Sequence, residues 1–211
     1  MDNLPVLLPL FPLEVVLFPG ASLPLHIFEP RYRKLMNDCM NNRTEFGVVL
    51  MRDEEISEVG CTARIKEVVK RYEDGRLDIV AEGTRRFEII SENSEEEVLR
   101  AEVSFFDDEG AEDPREVSRL SEAVRSIYAK IVLAVAKPNT NLTLVDTKAP
   151  RLAFSIADHL GLPLEVCQGL LGMRSETKRL QELERYLEEL LPKIERLEKA
   201  KGKVGGNGHM T

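Results

Sequence analysis

The sequence from Leu8 to Leu35, LPLFPLEVVLFPGASLPLHIFEPRYRKL, determines how the rest of this 211-residue chain is organised. It contains five prolines, and each removes a backbone donor and fixes φ, so most of the stretch is incompatible with a helix or a central strand. The dense apolar residues between the prolines predict strands that are covered on both faces. Pro19 and Gly20 match the central positions of a type II turn, which returns the chain through Leu23.

The periodicity changes at Pro30, which suits the first position of an α-helix because its missing N–H would be unpaired there in any case. Apolar residues then recur at the spacing of one buried helix face, at Tyr32, Leu35, Met36, Cys39 and Met40. A helix is therefore predicted directly after the proline-rich strands.

Residues 45–106 carry strand patterns separated by turn residues. Strands are predicted over 45–51, from Cys61, from Leu77, over 86–90 and over 98–106, with a hairpin turn at Asp74 and Gly75. The alternation predicts buried side chains at Cys61, Ala63 and Ile65, and solvent-facing ones at Thr62, Arg64 and Lys66. A bulge is expected near Glu67, and Gly83 is expected to end a strand. The first half is thus predicted to be antiparallel β, a small curved sheet or pseudo-barrel with one helix.

The second half has helical periodicity. Its acidic opening segment from Asp107 to Pro114, DDEGAEDP, indicates a linker that ends in a helix start. Apolar stripes predict helices over 115–136, 150–160 and 163–171, and a last helix opened by Ser175 carries leucines at heptad spacing, with Pro192 as a kink or break. The predicted class is α+β, with a β lobe over 1–107, a helical lobe over 108–198 and a disordered tail over 199–211. The leucine seam is expected to pack within its own chain, which favours a monomer.

Two long segments resemble a known family. The residues PLFPLEVVLFPGASLPLHIFEPRYRKL and, at 60–90, GCTARIKEVVKRYEDGRLDIVAEGTRRFEII are similar, in this order, to the signatures of the LON domain. This domain is the N-terminal substrate-recognition domain of the ATP-dependent Lon proteases, and it also occurs alone in many bacteria and in the eukaryotic protein cereblon. The resemblance extends over residues 4–197 and implies a PUA-like β lobe followed by an α-helical bundle.

The same resemblance implies a function, which is recognition of unfolded or degron-like protein segments without catalysis, as an adaptor in protein quality control. The sequence has no G-x-x-x-x-G-K-[ST] loop for a nucleotide and no segment similar to the Ser-Lys protease module of the Lon proteases, so no enzymatic activity is expected. His26, His159 and His209 each lack a second ligand at helical or hairpin spacing, so neither a metal nor another cofactor is predicted.

Aromatic residues are dense in the opening stretch, where Phe11, Phe18, Phe28 and Tyr32 occur close together. A small β lobe needs such side chains to fill its core, and this is the interpretation that the pattern favours. In the functional interpretation, some of them line an apolar groove that binds an extended polypeptide beside a proline-blunted edge strand.

A set of basic residues leaves a second function open. It comprises Arg64, Lys66, Lys70, Arg71, Arg85 and Arg86, expected partly on the outward face of the strands. Because some PUA-like lobes bind RNA, RNA binding through this basic face is the alternative function. The net charge of -8 and the lack of stacking aromatics among these cations count against a nucleic-acid partner. A small-molecule pocket is a third, less favoured possibility, because the chain has no tryptophan and no counterpart of the separate ligand-binding domain of cereblon.

The composition is that of an ordinary globular protein, with 43% hydrophobic and 31% charged residues. Cys39, Cys61 and Cys167 are too isolated for a disulfide framework or a zinc ribbon, which is typical of the reducing cytoplasm. The apolar N-terminus has no basic residue at its start and is interrupted by Glu14 and by prolines, so neither a signal peptide nor a membrane span is predicted.

Overall fold

The computed structural model describes residues 5–93, 97–136 and 151–205, with side chains as far as residue 200. The chain divides into two compact units. The sheet unit comprises Met1–Asp108 and Gly161–Arg174, and the helical unit comprises Glu109–Leu160 and Ser175–Thr211. The α+β class predicted from the sequence is confirmed, since a six-stranded mixed sheet is combined with helices.

The proline-rich stretch forms the first two strands of the sheet unit, β1 (Val6–Leu13) and β2 (Ser22–Ile27). Between them, the Ala21 amide donates to the Phe18 carbonyl oxygen at 3.0 Å, and Gly20 has a φ of 85°. This hydrogen bond and this dihedral define the type II turn that the Pro-Gly pair predicts. Helix α1 (Pro30–Asn42) begins at Pro30, also as predicted.

The remaining strands are β3 (Phe46–Arg52), β4 (Glu55–Arg71), β5 (Leu77–Asn93) and β6 (Arg100–Phe106). The pairings β1–β3, β3–β4, β4–β5, β5–β6 and β6–β1 close into a ring, which confirms the pseudo-barrel. One pair departs from the antiparallel prediction, because β1 and β3 are parallel. The long connection through β2 and α1 makes this geometry possible, since parallel neighbours cannot be joined by a tight turn.

Gly83 lies inside β5, which corrects the prediction that it ends a strand. A Cβ at this position would overlap the Phe18 carbonyl oxygen, and the Gly20 amide donates to the Gly83 carbonyl oxygen at 2.8 Å. The glycine is therefore required for the close approach of the turn after β1. The bulge predicted farther along β4 is confirmed by a register shift between Ile65 and Glu67.

Thr62 is buried, whereas the alternation of β4 predicts it on the wet face. Its hydroxyl oxygen lies 2.6 Å from Thr84 Oγ1 and accepts the Arg85 amide hydrogen at 3.1 Å. A register shift between Cys61 and Ala63 explains the difference, because strict alternation fails at a bulge.

The core of the sheet unit fills the space between the ring strands and α1. The inner face predicted for α1 is confirmed at Tyr32, Leu35, Met36 and Cys39, which are buried, whereas Met40 is half-buried. They pack with apolar side chains of the strands, which include Phe11, Ile27, Phe46, Val48, Ile79 and Ala81.

Helix α2 (Pro114–Val135) and helix α3 (Leu152–Leu160) belong to the helical unit, whereas α4 (Leu164–Gly172) belongs to the sheet unit. The boundary predicted at residue 107 grouped α4 with the other helices. Arg86 of β5 accounts for the difference, because its Nη1 donates to the carbonyl oxygens of Leu171 at 3.2 Å and Met173 at 2.5 Å. The segment after α3 is thus held by the sheet.

Helix α5 (Glu176–Gly205) packs on α2 and α3 within the helical unit. Leu180, Leu183 and Leu187 of its heptad seam are fully buried in the chain itself, as the intramolecular interpretation predicts. Farther along, Leu190 and Ile194 are half-buried and Leu197 is exposed.

Helix α5 is continuous past Pro192 and reaches Gly205. It is therefore not divided at the proline, and residues 199–205 are helical where a disordered tail was predicted. The end of that predicted tail, 206–211, lies outside the described residues. No helix in the described part of the chain combines the length and the apolar character needed to cross a membrane.

Candidate functional site

The four aromatic residues predicted as polypeptide-binding candidates have different environments. Phe11, Phe18 and Tyr32 are buried, and the rings of Phe11 and Tyr32 pack with their centroids 4.2 Å apart. These three side chains therefore belong to the core, which is the interpretation that their density favours. Phe28 is different, because 60% of it is exposed.

Phe28 follows the end of β2 and is stacked beside His26, with ring centroids 6.1 Å apart and planes at 24°. The two residues share one side of the chain because extended backbone alternates its side chains with a period of two. The edge of a third ring completes the cluster, since Tyr72 lies 5.8 Å from the His26 centroid. We call Phe28, His26 and Tyr72 the Phe28 patch.

Asp78 of β5 orients two of the three rings. It accepts hydrogen bonds from His26 Nδ1 at 2.5 Å and from the Tyr72 hydroxyl at 2.8 Å. The hydrogen bond from His26, followed by that from Tyr72, lowers the pKa of the Asp78 carboxyl below its ordinary value. The carboxylate thus fixes the polar edges of His26 and Tyr72 and leaves the Phe28 ring as the apolar contact surface.

Cations surround Tyr72. Lys70 Nζ lies 4.3 Å from the ring centroid of Tyr72, and the guanidinium carbon of Arg76 lies 4.8 Å from it. Both are cation–π distances. Arg76 also pairs with Asp74 at 2.7 Å, so Lys70 supplies the cationic character of the rim of the Phe28 patch. An exposed apolar ring beside such a cation is suited to an apolar side chain that is flanked by a carboxylate.

Strand β2 is the edge of the sheet beside the Phe28 patch. In the described part of the chain, its only strand partner is β5. Pro24 in the middle of β2 has no N–H, so a continuous ladder with an added strand would lack a donor at this position. The proline therefore disfavours pairing of this edge with a strand of another copy of the chain, while the aromatic rings beside it stay exposed.

The basic set does not form a continuous cationic surface. Arg64 and Lys66 share one acidic partner, Glu82, at 2.6 and 3.3 Å. Arg86 is buried and pairs with Asp108. The other three members have separate contacts: Lys70 with Tyr72, Arg71 with Met40 Sδ, and Arg85 with the Phe105 ring.

Within the described residues, no three histidine, cysteine or acidic side chains are grouped so that they could hold a metal ion. His26 and His159 instead contact Asp78 and Tyr128, and His209 lies outside the described residues. Tyr72 and Asp78 were not predicted to contribute to the Phe28 patch. The only local signal in the sequence was their position on either side of the predicted hairpin turn.

Comparison with known proteins gives one family model, described as the ATP-dependent protease La (LON) substrate-binding domain, which matches residues 7–189. Among curated relatives, a Lon protease of Flavobacterium johnsoniae is 29% identical over 207 residues, and Lon protease 2 of Syntrophobacter fumaroxidans is 26% identical over 214 residues. These alignments cover 92% and 96% of this chain but only 25% and 27% of the relatives. The chain therefore spans about a quarter of the length of these relatives.

Two solved structures have a similar fold. The Lon N-terminal domain protein from Xanthomonas campestris superposes with a TM-score of 0.65 at 27% identity, covering 84% of this chain and 96% of that one. The N-terminal domain of Mycobacterium avium complex Lon protease superposes with a TM-score of 0.63 at 18% identity, covering 87% and 98% of the two chains, and at this identity it supports the fold alone.

Proposed function

Because the chain belongs to the family of LON substrate-binding domains, we propose that it recognises unfolded or degron-like polypeptide segments without catalysing their cleavage. The family match supports the general role of substrate recognition. In the proposed role, the protein is an adaptor in protein quality control that holds client segments for another protein to process.

The observation that carries this proposal is the exposure of Phe28 at the edge of the sheet. An aromatic ring that protrudes from a rigid scaffold gives a large apolar contact at a low entropic cost. The neighbouring His26 and Tyr72 rings are held by Asp78, so little ordering is required when a segment binds. Lys70 on the rim favours segments that carry an acidic residue beside the apolar one, since the charge of Arg76 is balanced by Asp74.

The test is the binding of fluorescein-labelled casein, an unfolded polypeptide, to the wild type and to Phe28→Ser. Loss of an aromatic anchor at an interface centre costs about 2 kcal/mol or more, so the affinity should fall about thirtyfold or more. Ile90→Ser is the matched control, because Ile90 is a similarly exposed apolar residue of the same unit. Equal affinity of the Phe28→Ser variant and the wild type would contradict the proposal.

The alternative, RNA binding through the basic set, is tested with single-stranded RNA over a salt series. We expect RNA to bind only weakly, because Arg64 and Lys66 are paired with Glu82 and Arg86 is buried. A tight complex whose affinity falls steeply with salt would favour RNA binding over polypeptide recognition.

A further inference from the structure

A groove of about 670 Å³ lies in the sheet unit between the β3–β4 turn and helix α4. The groove originates in a bulge of β4, because Val49 pairs with Gly60 while Met51 pairs with Ile56. Leu50 therefore faces three residues of the other strand, which bow outward. The lining residues include apolar ones that are buried or half-buried, Leu50, Ile56 and Val59, and we call the cavity the acidic groove for its rim.

The rim of the acidic groove carries four exposed carboxylates and one guanidinium. They belong to Asp53, Glu55, Glu58, Glu165 and Arg52. Arg52 pairs with Glu165 and lies 3.9 Å from Asp53. Among the described residues, no cation lies within salt-bridge distance of Glu55 or Glu58. The rim is therefore negative, and two of its carboxylates are available to a cation from outside.

Gln168 of α4 connects the helix to the strand that borders this groove. Its Nε2 donates to the Val59 carbonyl oxygen at 2.9 Å, which fixes the orientation of the amide. Its Oε1 is buried and has no hydrogen-bond partner in the described part of the chain. This oxygen therefore does not face the groove, and Gln168 contributes to the groove by holding α4 against Val59.

Two glycines of α4, Gly169 and Gly172, line the same groove. Glycine inside a helix is destabilising relative to alanine, except where a positive φ or a close contact excludes a Cβ. A Cβ at Gly169 would meet no atom within 4 Å, and one at Gly172 would meet only a Val59 methyl group at 4.0 Å. Neither glycine has a positive φ. The packing of the sheet unit therefore does not require these glycines, whereas an occupant of the groove would.

We propose that the acidic groove binds an extended polypeptide segment in which a lysine or arginine lies next to an apolar residue. The apolar side chain packs on Leu50 and Val59, and the cation lies by Glu55 and Glu58. The proposal rests on the polypeptide recognition proposed above, but it assigns a second surface with the opposite charge preference to that of the Phe28 patch.

The test uses a fluorescein-labelled peptide of lysines and leucines and a second one with glutamates in place of the lysines. Gly169→Phe places a ring at the groove from a position where an added Cβ meets no atom within 4 Å, and Gly169→Ala is the smaller substitution for comparison. We expect the affinity for the lysine peptide to fall about tenfold or more in Gly169→Phe and by a smaller factor in Gly169→Ala, which adds only one methyl group to the groove. The double variant Glu55→Gln, Glu58→Gln alters only exposed side chains. It should lower the binding affinity for the lysine peptide and make that affinity less dependent on the salt concentration.

Equal binding of the two peptides, or unchanged binding of the lysine peptide in Gly169→Phe and in the double glutamine variant, would overturn the acidic groove as a site. Phe28→Ser separates this outcome from failure of the proposed function. If Phe28→Ser alone reduces the binding of casein and of both peptides, polypeptide recognition stands and the groove proposal fails. If neither peptide nor casein binds, both fail.

Discussion

Arg86 places its Nη2 2.6 Å from Asp108 Oδ1, with only 3% of the arginine side chain exposed. The same guanidinium donates to the carbonyl oxygens of Leu171 and Met173. One side chain of β5 therefore connects the start of the acidic linker and the segment that contains α4. The hydrogen bonds use the planar, multiple-donor geometry that distinguishes arginine from lysine.

Replacement of Arg86 by methionine should lower the free energy of unfolding by about 3 kcal/mol, because a carboxylate and two carbonyl groups lose their donor. Urea unfolding followed by circular dichroism measures this loss. Arg85→Met is the neighbouring control, since the exposed Arg85 side chain lies over the face of Phe105 and the backbone hydrogen bonds to Thr62 are kept, and it should cost less than about 1 kcal/mol. Similar losses in the two variants would contradict the role of Arg86.

The Glu112 carboxylate lies at the N-terminus of α5, where it accepts hydrogen bonds from the Thr177 hydroxyl and amide. The hydrogen bond from the Thr177 side chain is the main cause that lowers the pKa of Glu112. A lowered folded-state pKa contributes stability above the unfolded pKa of about 4.3, and this stability is lost as the pH falls through the folded-state pKa.

We therefore expect Glu112→Gln to lower the melting temperature at pH 7 by about 2 to 4 °C, as for loss of a helix cap worth about 1 kcal/mol. The difference from the wild type should shrink as the pH falls below about 4. Thermal melts over a pH series measure it, with Glu122→Gln, an exposed change on α2, as the control. A difference that stays constant at acidic pH would show that the carboxylate charge is not involved.

Leu187→Ala should remove about 2 to 5 kcal/mol from the free energy of unfolding without changing the mass in solution, because the side chain is fully buried in its own chain. Leu197→Ala, at a position that is 61% exposed, should change it by less than about 0.5 kcal/mol. Light scattering and urea unfolding check both variants. A wild-type dimer that Leu187→Ala converts into a folded monomer would show instead that the seam is an interface.

Gly83→Ala should destabilise the sheet unit by about 1 to 3 kcal/mol, because the new Cβ overlaps a backbone carbonyl oxygen that cannot move without displacing the turn at Pro19 and Gly20. Gly169→Ala is the matched substitution in open space and should stabilise the protein by about 0.5 to 1 kcal/mol. Equal effects of the two substitutions on the melting temperature would show that the contact at Gly83 is relaxed easily.

Local signals predicted much of the fold. The turn at Pro19 and Gly20, the helix start at Pro30 and the start of α2 at the end of the acidic linker each depend on residues close in sequence, and each is present. The departures have distant causes. Gly83 is required by Phe18, and α4 is held by Arg86, and neither relation leaves a pattern in the neighbouring residues.

The candidate site was less predictable for the same reason. Phe28 was named together with Phe11, Phe18 and Tyr32, and nothing in the sequence distinguishes the exposed ring from the three core rings. Exposure is decided by which distant side chains cover a residue, as Phe46 covers Phe11. His26 and Asp78 are 52 residues apart, so their hydrogen bond becomes visible only when β2 pairs with β5.

The return of residues 161–174 to the sheet unit has a consequence for the order of synthesis. All six strands have left the ribosome before the carbonyl groups that bind the Arg86 guanidinium are made. At typical bacterial and eukaryotic elongation rates, the roughly 65 residues from Asp108 to Met173 take about 3 to 13 s. Throughout this interval the Arg86 guanidinium can pair with Asp108 but lacks its two carbonyl acceptors, Leu171 and Met173. Its full set of hydrogen bonds is therefore coupled to translation of a segment that follows α2 and α3.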